Sequence, residues 1–99
     1  MARFHVYRLK PGNMLVVDLQ SNLLDDLPSR VIAPLIPVND MSWSISRLTP
    51  RFVVEGELHV MATQRMAAVP ASEIGEQVAD LSDKADDIIV ATDFLFQGF

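Results

Sequence analysis

The stretch Arg3-Phe4-His5-Val6-Tyr7-Arg8-Leu9-Lys10-Pro11-Gly12-Asn13-Met14-Leu15-Val16-Val17-Asp18-Leu19-Gln20 decides the fold class. Two β-rich runs, Arg3 to Leu9 and Met14 to Gln20, flank Lys10-Pro11-Gly12-Asn13. Adjacent proline and glycine mark a turn, so the stretch predicts an antiparallel hairpin. Side chains of a strand alternate between faces, which puts Leu15, Val17 and Leu19 together and turns Asp18 and Gln20 the other way.

Outward from this hairpin the strand pattern continues. Asp25-Asp26-Leu27-Pro28-Ser29 breaks the chain before Arg30 to Ile36, a run that is apolar on both faces. Pro34 within it lacks the N–H that a ladder requires, which predicts an edge strand or a bulge. Pro37-Val38-Asn39-Asp40 reads as a turn. Met41, Trp43 and Ile45 alternate with Ser42, Ser44 and Ser46, as in a short half-buried strand; a single helical turn is the alternative. Phe52 to Glu55 and Glu57 to Ala62 form a second hairpin with Glu55-Gly56 at its tip, where glycine supplies positive φ. Met66 to Val69 is a last short strand, stopped by Pro70.

The character then changes. Ala71 to Leu81 is either irregular or a short helix. From Ser82 a helix is expected, with Ser82 as N-cap and Asp83, Asp86 and Asp87 near the positive end of its dipole. Ile88, Ala91, Thr92 and Leu95 share one stripe, Ile89, Phe96 and Phe99 a neighbouring one, and Gly98 sits at the C-cap. Short antiparallel strands followed by one terminal helix make an α+β, mostly β, or small-barrel pattern, since parallel strands need helices between them.

Composition narrows the class. Ninety-nine residues fit a single domain, residues 1–99, and 49 % hydrophobic content is enough for a core. With no cysteine there are no disulfide staples and no thiolate metal site, as expected of a cytoplasmic chain. Met1-Ala2-Arg3-Phe4-His5 opens without an apolar signal region, and no run reaches the roughly 18 apolar residues of a membrane span. The net charge is −5 with no cluster of Lys or Arg, which counts against direct nucleic-acid binding. The high apolar content of so short a chain favours self-association.

Catalytic patterns are not found. His5 and His59 each stand in a predicted strand without a partner at motif spacing. Asp25-Asp26 lies in a turn, and Asp86-Asp87 are neighbours that do not share a helix face, so neither makes an acid–base pair. There is no glycine-rich phosphate loop and no Gly-x-Ser-x-Gly elbow. The expectation is a binding protein rather than an enzyme, with no cofactor and no metal. Two features call for a partner: the aliphatic pair Leu23-Leu24 beside a turn, and Phe94-Leu95-Phe96-Gln97-Gly98-Phe99, aromatic where chain ends are usually polar.

These residues carry a resemblance. Val17-Asp18-Leu19-Gln20-Ser21-Asn22-Leu23-Leu24-Asp25, Arg30-Val31-Ile32-Ala33-Pro34-Leu35, Met66-Ala67-Ala68-Val69-Pro70, Ile74-Gly75-Glu76-Gln77-Val78-Ala79-Asp80-Leu81-Ser82 and Leu95-Phe96-Gln97-Gly98-Phe99 together resemble the CcdB family, almost end to end. The resemblance implies an SH3-like antiparallel barrel with a C-terminal helix, and a homodimer with Leu95 in its seam. It implies a toxin, neutralised by a CcdA-like antitoxin, that binds the A subunit of DNA gyrase and traps the cleaved-DNA complex. It places gyrase contacts at Leu23, Leu24, Asp93, Phe96, Gln97, Gly98 and Phe99. The family signature Phe-Trp-Gly-Ile reads Phe96-Gln97-Gly98-Phe99 in this chain, and Asp93 stands where asparagine is usual. A family member that keeps antitoxin binding but has lost gyrase poisoning, or has another protein target, is the alternative implied by those departures.

Overall fold

The first hairpin sets the centre of the sheet. In the computed structural model, which describes residues 1–41 and 45–98, β1 (His5–Leu9) pairs with β2 (Leu15–Asp18) in the register Val6↔Val17, Tyr7↔Val16, Arg8↔Leu15. Gly12 and Asn13 both take positive φ in the intervening turn, the conformation those two residue types tolerate best. The expected strand or helical turn around Trp43 falls largely on residues 42–44, and Phe99 closes the chain; both lie outside the described residues.

The run with Pro34 is neither an edge strand nor bulged against β2. It forms β3 (Ser29–Pro37), which pairs with β2 without a break in register from Leu15↔Leu35 to Asp18↔Ile32. On its other side β3 meets β6 (Ala67–Pro70) over Ser29 to Ile32 and β5 (Glu57–Met61) over Leu35 to Pro37. Pro34 falls between these two partners. Its carbonyl accepts from Ala62 N (2.8 Å) on that side. In an extended chain the N and O of one residue point the same way, so the missing N–H faces the place where one partner gives way to the next.

The second hairpin joins β4 (Arg51–Val54) to β5 through Glu55 and Gly56, both at positive φ, as a two-residue type I′ turn requires. With β7 spanning Ile74–Asp80, the strand order is β4-β5-β3-β2-β1-β7, and β6 pairs β3 off this path. Because β5 and β6 share one side of β3, the sheet curls rather than lying flat. Mostly β with one terminal helix, this is an α+β fold of the SH3-like kind.

The segment from Ala71 to Leu81 is mainly a strand. A single 3-10 turn (Ala71–Glu73) leads into β7 (Ile74–Asp80), which pairs β1 with register shifts on either side of Tyr7. Its sequence is polar and rich in residues that also suit helices, and tertiary pairing decides its state. The helix also starts later than expected. Ser82–Lys84 is a 3-10 turn and α1 spans Ala85–Gln97. Ser82 does not cap it; Asp80 Oδ1 accepts from Ser82 N (2.8 Å) and from Ser82 Oγ (2.5 Å). Gly98 closes α1 in the left-handed region, its N–H donating to Phe94 O (3.0 Å).

The β1–β2–β3 sheet is covered on both faces. One face holds Val6, Leu15, Val17, Ala33 and Leu35 with Phe52, Val54 and Met61, and onto it α1 sets Ile88 and Ala91. The other face buries Tyr7, Val16, Ile32 and Ile74. Of the stripe read from the sequence only Ile88 and Ala91 are buried, while Leu95 and Phe96 face outward. All four residues of β2 are buried, Asp18 included, so the face that carries Asp18 is closed as well.

Candidate functional site

A carboxylate shut away from water needs a partner. Asp18 is 1 % exposed and Arg30, on the neighbouring strand, is 0 % exposed; Arg30 Nη2 donates to Asp18 Oδ2. Arg30 Nη1 reaches on to Asp25 Oδ1 (2.6 Å), a half-exposed carboxylate in the loop after β2. Burial works against the charge on Arg30, but the hydrogen bonds to Asp18 and Asp25 outweigh it and hold the guanidinium pKa above its usual value.

Gln20 is buried beside this trio. Its Nε2 donates to Leu24 O (2.9 Å), its Oε1 accepts from Val31 N (3.1 Å), and its own N donates to Asp18 Oδ1 (3.0 Å). The loop itself opens with a 3-10 turn (Asn22–Leu24), capped by Ser21 Oγ accepting from Leu23 N (3.2 Å). Arg3 N donates to Asn22 Oδ1 (2.9 Å), tying the turn to the start of the chain.

Held in this way, the loop turns its apolar side chains outward. Leu23 is 94 % exposed, and Leu24 and Leu27 are half exposed. At the end of α1, Phe96 is 71 % exposed. Leu24, Leu27, Val31, Met66, Thr92 and Phe96 line one groove of about 490 Å³. The fold thus brings together Leu24 and Phe96 from opposite ends of the chain. Leu23, Asp93, Gln97 and Gly98 do not line the groove; Leu23 stands out beside it, and Asp93, Gln97 and Gly98 are exposed near the helix end. Phe99 is outside the described residues. Leu95 is partly exposed on α1, and Phe94 is half-buried with the Arg47 guanidinium 4.9 Å above its ring.

Sequence reasoning missed Arg30, Gln20, Leu27 and Met66. The usable signal was Asp18 within an otherwise apolar strand, which demanded a cation close by in space. Both histidines have acidic neighbours: His5 Nε2 lies 3.3 Å from Asp80 Oδ1, and buried His59 Nε2 lies 3.7 Å from Glu57 Oε1. Among the described residues no three His, Asp or Glu side chains cluster as a metal site. A hollow of about 560 Å³ beside Arg8, Glu55 and His59 shares no residue with the groove. No helix is long and apolar enough to cross a membrane among the described residues.

The CcdB protein family matches residues 3–98, nearly the whole sequence. This chain belongs to the CcdB family. Two solved structures share the CcdB-type fold. Mycobacterium tuberculosis toxin MazF-mt6 superposes with a TM-score of 0.78 at 12 % identity, covering 93 % of this chain and 95 % of that one. An endoribonuclease in complex with its cognate antitoxin, from a mycobacterial species, superposes with a TM-score of 0.71 at 15 % identity, covering 94 % of this chain and 91 % of that one. At those identities the likeness is one of fold.

Proposed function

We propose that this CcdB-family chain is the toxin half of a toxin–antitoxin pair and acts as a homodimer in the cytoplasm. Its target is the A subunit of DNA gyrase, and it traps the cleaved-DNA complex by binding, without chemistry of its own. The observation that carries this reading is the pairing of Leu24 and Phe96 on one groove, with Leu23 exposed beside it. Large apolar side chains clustered in the open mark interaction sites, and aromatic anchors dominate the energetics of such interfaces. A CcdA-like antitoxin is the second partner, supported by family membership and by the antitoxin bound to one relative of the same fold.

That relative is an endoribonuclease. The net charge of −5 counts against RNA as a direct ligand of this chain, because phosphate binding draws on clustered cations. The second reading keeps the antitoxin and gives up gyrase. It is favoured by Gln97 at the position of the family tryptophan, since glutamine has neither the area nor the ring quadrupole of an indole.

The deciding experiment is a cleavage assay with purified protein, the host's own gyrase, ATP and supercoiled plasmid. Linear DNA that accumulates with protein dose is the expected result. Its absence, with the protein folded and dimeric, would give the second reading the place of the first.

A further inference from the structure

We propose that Arg30 and Gln20 are positioning residues for the partner-binding groove, latching the loop between β2 and β3 into the one shape that sets Leu24 opposite Phe96. This inference rests on the reading that the groove receives a protein partner. Residues 21–28 contain Leu23, Leu24 and Leu27, and all three face solvent, so no buried apolar side chain fastens the loop. Its shape must come from polar bonds, and these converge from the strands behind it. Arg30 grips Asp18 in β2 with one nitrogen and Asp25 in the loop with the other, while Gln20 clamps Leu24 O against Val31 N.

The chemistry fits this task better than it fits general stabilisation. A buried ion pair is often replaced by apolar residues without loss of stability, so a fully buried arginine in so small a core calls for another reason. A guanidinium can hold two carboxylates at fixed angles at once; an ammonium on a flexible stem cannot. Arg30 Nε, by contrast, is buried without an acceptor among the described residues. Only the two terminal nitrogens are engaged, one toward the core and one toward the loop.

The test uses Asp25→Ala, which cuts the half-exposed end of the latch and leaves Asp18 and Arg30 paired, and Gln20→Met, which removes the clamp at similar volume. Amide hydrogen exchange of the free protein is read at Leu24 and Leu27, with Val16 and Val60 as core controls. Binding to purified gyrase A subunit is measured in parallel. Exchange at Leu24 and Leu27 is expected to rise, and affinity to fall, by about fivefold, the scale of a half-exposed charge-assisted bond, with the controls unmoved. Unchanged loop exchange in both variants overturns the latch, as does a loosened loop that binds gyrase as tightly as before. Where the unaltered protein fails to bind gyrase and the variants still loosen the loop, the latch stands and the gyrase reading falls.

Discussion

Asp18 and Arg30 lie on adjacent strands, each almost wholly out of reach of water, and each is the other's charge partner. Arg30 has Asp25 as a second carboxylate partner, whereas the Asp18 carboxylate is held by Arg30, so it is the loss of Arg30 that strands a buried charge. Arg30→Met is therefore expected to destabilise the protein by about 3–5 kcal/mol in urea denaturation, the penalty for an uncompensated buried charge at Asp18. The double variant Asp18→Leu with Arg30→Met should recover most of that loss, because no buried charge is then left unpaired and the half-exposed Asp25 is reached by water. A double variant as unstable as Arg30→Met would show that packing, not charge, is what the pair supplies.

Gly75 in β7 sits against the backbone of β1. A Cβ at this position would lie 2.4 Å from Arg8 O, closer than any real contact, and the obstacle is main chain that cannot swing aside. Gly75→Ala must push the two strands apart at their most irregular point, where the register already shifts. A loss of about 1–3 kcal/mol is expected from such overpacking. An unchanged urea midpoint would mean that β7 is held too loosely for the contact to matter.

Local rules made much of this fold legible. Both hairpins were visible because Gly12, Asn13 and Gly56 are residues that accept positive φ, and all three adopt it. The fate of Pro34 was not, since a single strand cannot reveal that its partner changes from β6 to β5 at that point. Nor was β7, whose state is decided by the open edge of β1 rather than by its own residues. The burial of Asp18 and Gln20 was not legible either, because alternation reports which face a side chain takes, not whether a second layer covers it. The family likeness singled out Leu24 and Phe96, which line one groove, and Leu23, which stands exposed beside it. The buried residues that hold them were hidden, because a long-range polar contact leaves no periodic trace.

Asp80 gives the start of the helical segment a dependence on pH. The Ser82 hydroxyl and N–H hydrogen-bond its carboxylate and hold its pKa below the ordinary value, with a smaller contribution from nearby His5. A folded pKa that is depressed means stabilisation that is fully present above the unfolded value of about 3.9 and is lost as the pH falls through the folded one. An NMR titration should find Asp80 below the ordinary aspartate value, and Ser82→Ala should move it upward. Equal values in the two proteins would remove the hydroxyl from this account.

Phe96 and Ile88 belong to the same helix and should respond in opposite ways. Ile88 is buried in the main core, so Ile88→Ala is expected to lose about 2–5 kcal/mol of stability. Phe96 is exposed, and Phe96→Ala should change stability by no more than about 0.5 kcal/mol. Its cost should appear instead in gyrase binding, at about 2 kcal/mol or more, which is roughly thirtyfold in affinity. Denaturation and gyrase-binding measurements on both variants check this. A Phe96→Ala protein that unfolds easily would assign the ring to packing, in a dimer seam, rather than to a partner.

Gln97 decides between the two functional readings. It is exposed at the end of α1, next to Phe96 and before the left-handed Gly98, so a larger side chain can extend into solvent. Gln97→Trp should therefore fold as well as the parent while adding an aromatic surface of the kind that anchors interfaces. If the helix end faces gyrase, the added ring should strengthen binding by about 2 kcal/mol, or roughly thirtyfold, and lower the protein dose at which linear DNA appears. Asp93→Asn, which removes a negative charge on the same last turns, should act in the same direction and more weakly. A Gln97→Trp protein that is folded, dimeric and no more active than its parent would mean that this end of the helix does not meet gyrase in this chain.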